Sequence, residues 1–220
     1  MDWNAFWEPV GLSVKISIAA SVIVFLVAMA MARWMARARF FGKSLVETVL
    51  LLPLVLPPTV VGFILLVLLG RRSWIGEAYE KLFGGTIIFT WGSAVAAAVI
   101  VAFPLAYRTM KAGFENVDRE LEDSARALGA SEWQVFRYIT APLAARALTA
   151  GYILGFARGL GEFGATLMIA GNIPGKTQTI PTAIYIAVEG GDLRLAWAWV
   201  GAMIALSFLM LLLANRFARD

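Results

Sequence analysis

Arg158 and Glu162 stand four residues apart in FARGLGEFGAT, inside one of the most apolar stretches of the chain. That spacing lets both side chains share one face of a helix. A lone charge near mid-membrane costs roughly 2.5–3.5 kcal/mol on insertion scales, so the two must pair or face a polar cavity. Two roles are open to them. One is an internal ion pair that fixes helix register; the other is the border of an anion path, with Arg158 attracting and Glu162 restraining. A second chemical candidate, AGNIPGKT at 170–177, fits a relaxed phosphate-loop pattern. The strict G-x-x-x-x-G-K-[ST] form fails at Ala170, and Pro174 and Pro181 interrupt a context that should join a strand to a helix, so ATP binding is not expected there. The chain has no histidine and no cysteine. Thiolate, redox and most metal chemistry are therefore disfavoured, and no catalytic, metal or cofactor-binding residue is assigned.

The elements that hold these residues follow from composition. Hydrophobic residues make up 60% of the 220 positions and charged residues 15%, where a soluble domain carries about a quarter charged. Crossing a hydrocarbon core takes roughly 20 apolar residues. Segments of that kind fall near 11–32, 45–69, 86–107, 147–170 and 195–214. Their length predicts an all-α integral membrane protein of about five spans, because barrel strands would be about ten residues long with strict alternation. Short loops and the lack of internal repeats predict one domain over 1–220.

Orientation follows from basic residues. Arg33, Arg37, Arg39 and Lys43 crowd the first connection, Arg108, Lys111, Arg119, Arg126, Arg137 and Arg146 the third, and Arg216 and Arg219 the carboxyl end. Those sides are expected to be cytoplasmic and the amino terminus external. The net charge of +4 is then a topology signal, and nucleic acid is not an expected partner. Asp2 and Glu8 precede the first basic residue, Lys15, which disfavours a cleavable leader; Trp3, Phe6 and Trp7 read as an interfacial anchor.

Within the spans, Pro53, Pro57 and Pro58 in LPLVLPPTVVG leave carbonyls without their usual donors. An ordinary kink and a break lining a water-filled route are both open. Ala147, Gly151, Gly155 and Gly159 form a small-residue stripe for close helix packing. Residues 181–188 are too short to span and too apolar to stand free in water, which predicts a short helix against the outer mouth.

Residues 108–146 leave the apolar regime. Leu121, Ala125 and Leu128 recur at helical spacing, Arg119, Glu122 and Arg126 share another face, and Gly129 sits where a helix C-cap is expected. Ser131 and Gln134 have capping-box spacing for a second helix carrying Trp133, Phe136 and Ile139, which Pro142 should stop or kink. The product is a two-helix cytoplasmic element with exposed apolar side chains. Periodicity alone suits a protein interface and a headgroup-bound helix equally well.

The order of residue types separates them. The run D-S-A-x-x-x-G, nine residues, I-x-A-P resembles the EAA motif of ABC importer membrane subunits, E-A-A-x-x-x-G, nine residues, I-x-L-P. It places Asp123, Ser124 and Ala125 on E-A-A, with Gly129, Ile139 and Pro142 on their counterparts; Asp123, Ser124 and Ala141 depart in type but not in spacing. LPLVLPPTVVGFILL, GRRSWIGE, GLGEFGAT and NIPGKTQTIPTAIY, over about 11–216, are similar to the molybdate ABC importer permeases. GEFGA alone also resembles permeases for sulfate, iron and polyamines.

The resemblance implies a type I importer permease fold of five or six spans in a bacterial inner membrane. It also implies a homodimer, a separate ATPase dimer that binds ATP and Mg²⁺ and docks on the coupling segment, and an external protein that captures molybdate or tungstate. Sulfate or another oxyanion is the nearest alternative cargo. A secondary transporter or channel is the alternative of a different class.

Overall fold

The computed structural model of the chain describes residues 3–217. All the regular structure among them is helical: α1 (Trp3–Arg37), α2 (Lys43–Val55), α3 (Pro58–Leu69), α4 (Trp74–Phe83), α5 (Trp91–Glu115), α6 (Arg119–Ala127), α7 (Glu132–Val135), a π-helical turn (Phe136–Thr140), α8 (Ala141–Leu160), α9 (Gly164–Ala170), α10 (Ile180–Glu189) and α11 (Leu193–Phe217). Four helical stretches are long and apolar enough to cross a membrane, and the bent pair α2–α3 makes a fifth. That agrees with the expected number of about five.

Two of the expected spans are not single helices. Between α2 and α3 the axis turns by 112°, more than a kink. Leu56 and Pro57 are both extended there, with ψ of 140° and 136°, because each precedes a proline whose ring disfavours the helical conformation of the residue before it. The prolines therefore break the helix instead of kinking it. The expected span 147–170 divides at residues 161–163 into α8 and α9. Arg33 and Arg37, expected in a connection, occupy the last turns of α1. Helix α4 was not anticipated. Ser73 starts it by accepting from the Gly76 N–H at 2.9 Å, and Gly84, at φ 68°, ends it.

Helices α1, α5 and α8 form the centre. Val24, Ala28 and Ala32 meet Ala102, Ala106 and Met110, and these meet Ala144 and Leu148. Small residues let the backbones approach: a Cβ on Gly113 would lie 2.2 Å from that of Ala147, and one on Gly151 would lie 2.7 Å from Met110 Cγ. A second cluster joins Val61 and Leu65 of α3 to Ala165 and Ile169 of α9 over the alanines of α5. The two broken spans therefore lie side by side. Lys111 ties α2 to α5, its Nζ 3.0 Å from Glu47 and 2.9 Å from Glu115.

The third cluster corrects the anchor reading. Phe6 is buried with Val10 against Ile180, Ala183 and Trp199. Its ring stacks on Trp199, whose Nε1 donates to the Phe6 carbonyl at 3.1 Å. Trp7 is exposed as an anchor should be. The side chain of Trp3, and Asp2 and Arg219 altogether, lie outside the described residues. The short helix expected at 181–188 is α10, opened by Pro181 in its first turn and by a Thr179–Thr182 capping box.

Candidate coupling and pathway sites

Asp118 opens α6 by accepting from the Glu120 N–H at 2.9 Å. At its other end Gly129 turns at φ 90°. The Gly129 N–H reaches Arg126 O and the Ala130 N–H reaches Ala125 O, the paired bonds of a Schellman C-cap, which glycine adopts without strain. The capping box forms as expected: the Gln134 N–H donates to Ser131 Oγ at 3.4 Å, and the Ser131 N–H to Gln134 Oε1 at 2.7 Å. Arg126 closes the corner. It holds Glu132 with two nitrogens, at 2.6 and 3.1 Å, and Asp123 at 2.7 Å. Those hydrogen bonds, Glu132 first, raise its pKa.

Of the stop or kink expected at Pro142, the stop does not occur. The helical path runs from Glu132 to Leu160. It widens into the π-turn just before the proline, where the Ala141 N–H donates five residues back to Phe136 O, and Pro142 lies in the first turn of α8, where a missing N–H is tolerated. Helix α7 is thus continuous with the membrane-crossing helix α8 that follows it.

Asp123, Ser124, Gly129, Trp133 and Pro142 are exposed, while Ala125, Phe136 and Ile139 are half-buried. The rings of Trp133 and Phe136 lie 5.7 Å apart. A groove between the helices is lined by Ala125, Leu128, Gly129, Gln134, Tyr138 and Ile139. Leu128 at its rim is 90% exposed and Trp133 beside it 65%. The groove with Leu128 and Tyr138 is an open apolar surface, the arrangement of a protein interface, and Trp133 is exposed outside it.

Glu122 shares a helix face with Arg126, as the spacing predicts, but the spacing does not show that it is 2% exposed. Its Oε2 lies 2.9 Å from Arg37 Nη2 and its Oε1 3.5 Å from Arg33 Nη2, and Thr140 Oγ1 donates to Oε1 at 2.6 Å. Arg126 is a distant fourth partner at 3.9 Å. Helical spacing reveals neighbours on one helix; these partners sit on α1 and the π-turn, so no local pattern marks them.

The structure brings Arg158 and Glu162 together, but not on one helix. Glu162 lies past the C-cap Gly161, in the break itself. Its Oε2 accepts from Arg158 Nη1 at 2.7 Å and its Oε1 from the Ala165 N–H at 2.8 Å. The carboxylate fastens α8 to α9 and satisfies a backbone donor that the break would leave unpaired. Pro57 and Pro58, at the other break, are exposed. The two breaks adjoin, since a Cβ on Gly164 would lie 3.1 Å from Pro58 Cβ.

The segment AGNIPGKT follows helix α9, where a phosphate loop would follow a strand. The N–H groups of Lys176, Thr177 and Gln178 all point to the Ile173 carbonyl, at 3.0, 2.9 and 3.1 Å. The buried Thr177 hydroxyl accepts from the Ile173 N–H at 3.0 Å. The amides that a phosphate cradle would use are committed inside the loop.

Known proteins match this arrangement over nearly the whole chain. Residues 17–220 fit the model of the family described as binding-protein-dependent transport system inner membrane component. YvgM of Bacillus subtilis (strain 168), provisionally named a molybdenum transport system permease protein, is 53% identical over 208 residues, 94% of this chain and 92% of its own. The molybdenum transport system permease protein ModB of Escherichia coli (strain K12) is 45% identical over 215 residues, 97% of this chain and 93% of its own. The sulfate transport system permease protein CysT of the same strain is 33% identical over 232 residues, 100% of this chain and 83% of its own.

Among solved structures, a bacterial alginate ABC transporter in complex with an alginate pentasaccharide-bound periplasmic protein superposes with a TM-score of 0.77 at 15% identity, over 96% of this chain and 77% of that one. The MetNI methionine ABC transporter, in inward-facing conformations, gives 0.67 at 14%, over 98% and 93%. At such identities these two speak for the fold alone. That fold is the type I ABC importer permease fold. On the family match and the identity of its relatives, the chain belongs to the binding-protein-dependent transport system inner membrane components, with molybdenum-system permeases among its relatives.

Proposed function

We propose that this chain is the membrane-spanning subunit of an ABC importer, forming a path for molybdate, and for tungstate as its chemical analogue. Identity of 45% to ModB of E. coli across almost the entire length of both chains is the observation that carries the cargo. The coupling half of the reading rests on the groove lined by Ala125, Leu128, Tyr138 and Ile139, capped at Gly129 and Ser131 and open to a partner.

In this reading a separate ATPase dimer binds ATP and Mg²⁺ and seats on residues 123–142, so that its closure pushes a segment continuous with α8. Two copies of the chain, a single permease domain each, line the path, and an external binding protein delivers the anion. The amino terminus is external and the carboxyl terminus cytoplasmic. Arg158, Glu162, Pro57 and Pro58 border the path where the two spans break. A buried Glu162 leaves Arg158 the more available charge: the Arg158 side chain is 31% exposed and that of Glu162 1%.

Reconstitution with the ATPase and the binding protein, followed by ATP-dependent uptake of molybdate, tungstate and sulfate in competition, tests the proposal. Molybdate uptake that sulfate does not displace is the expected result. Sulfate uptake without molybdate uptake would overturn the cargo, and anion flux driven by an ion gradient without ATP would overturn the importer reading.

A further inference from the structure

Glu122 is the one carboxylate of the cytoplasmic segment that faces inward. Removing a carboxylate from water costs several kcal/mol unless its oxygens are paired, so such a residue must be held by donors on every side. Here they come from different parts of the chain. Arg37, at 2.9 Å, and Arg33, at 3.5 Å, reach it from the last two turns of α1, and Thr140, itself 0% exposed, donates from the π-turn at 2.6 Å. Arg37 Nη2 also donates to Val117 O at 3.3 Å, which fixes the entry of α6. A single side chain thus ties α6, the π-turn and α1 together.

The place of this knot matters for motion. Helix α7, the π-turn and α8 form one continuous helical path, and the capped turn at Gly129, with Arg126 across it, connects α6 to α7. A push on Leu128 or Trp133 therefore moves α6 and the base of α8 as one body. Helix α1 is a separate element of 35 residues, about 50 Å long at 1.5 Å per residue. Its far end holds Phe6 and Val10 against α10 and α11. The charged link between the moved body and α1 is Glu122 with its two arginines.

Resting on the importer reading above, we propose that Glu122, held by Arg33, Arg37 and Thr140, is a positioning residue that carries displacement of the ATPase-docking segment into α1. It touches neither anion nor nucleotide. Its role is to make the segment and α1 move together, so that nucleotide-driven closure is felt at the opposite end of the protein. The surfaces offered to the ATPase do not depend on it, because Leu128, Trp133 and Tyr138 stand on caps and on the Arg126 clamp.

The test uses the complete complex in proteoliposomes, with ATP hydrolysis and anion uptake measured together. Glu122→Gln keeps the shape and removes the charge. The expected result is a complex that assembles and hydrolyses ATP while anion carried per ATP falls about tenfold, within the usual range of coupling between two sites. Thr140→Val removes one hydroxyl donor to the same carboxylate and leaves both arginines, so it should lower the ratio about threefold. A ratio unchanged in both variants would overturn the proposal. So would loss of assembly in Glu122→Gln with an unchanged ratio in Thr140→Val, because the carboxylate would then only hold the fold. A wild-type chain that shows no ATP-linked uptake at all would instead remove the importer reading on which this one rests.

Discussion

Glu122 and Glu162 are chemically the same and structurally opposite. Both carboxylates are almost fully buried, and each pairs with arginine at 2.7–2.9 Å and accepts one further short hydrogen bond. The partners of Glu162 are its near neighbours in sequence, Arg158 four residues before and Ala165 three after. Those of Glu122 lie on another helix and on the far side of a turn. A local pair repairs a defect, here the donors left open where α8 gives way to α9. A distant pair adds a charged link between elements far apart in sequence, here α6 and α1, to the apolar packing that α1 already shares with α8. Equal burial therefore does not mean equal work, and the span of chain between partners distinguishes the two.

Truncation should separate them most clearly. Glu122→Ala leaves two arginines and a buried hydroxyl facing one another and should destabilise the protein by about 3–5 kcal/mol, the usual result of breaking a buried ion pair. Glu162→Ala leaves one arginine, its side chain 31% exposed, and one backbone N–H, and should lose about 1–3 kcal/mol. Thermal unfolding in detergent, followed by circular dichroism, measures both. Equal losses would break the comparison.

Packing around the local break gives the next effect. Gly62 of α3 faces α9 so closely that a Cβ would lie 2.7 Å from Met168 Cβ and 2.8 Å from Ala165 Cα. Gly62→Val must push α9 away and should destabilise by about 1–3 kcal/mol. Because α9 begins where Glu162 holds Ala165, the variant should also loosen that carboxylate. Combined with Glu162→Ala, its effect should be less than additive, whereas it should add fully to Glu122→Ala, a site without shared partners.

The same contrast explains what could be read from the chain. The spans, the caps at Gly129 and Ser131, the short helix α10 and the Arg158–Glu162 pair all arise from interactions within a few residues, which periodicity and spacing encode. Windows of apolar residues locate a span but not its interruptions. A run such as 147–170 stays apolar across Gly161 and Phe163, and only the packing of α9 against α3 divides it. Pro142 left a stop and a kink both open because the sequence does not announce the π-turn that accommodates it. Glu122 was legible as a charge, but its neighbours are set by how α1 meets α6, and the same is true of Phe6 and Trp199.

Arg126 provides the smallest effect and a control on the rest. It has three ionic partners, as many as Glu122, yet the side chains of two of them, Asp123 and Glu132, are 72% and 71% exposed. Exposed pairs contribute little, because water competes for every charge and ordering the side chains is unfavourable, so Arg126→Gln should cost about 0.5–1 kcal/mol. What it contributes should also fade in salt: the screening length shrinks from about 10 Å at 0.1 M to about 3 Å at 1 M. The difference between wild type and Arg126→Gln should therefore narrow across that range, while the deficit of Glu122→Ala, sheltered from solvent, should hold. Parallel salt series on the two variants read this directly. A deficit in Glu122→Ala that also vanished at 1 M would place its carboxylate within reach of water and reduce it to the class of Arg126.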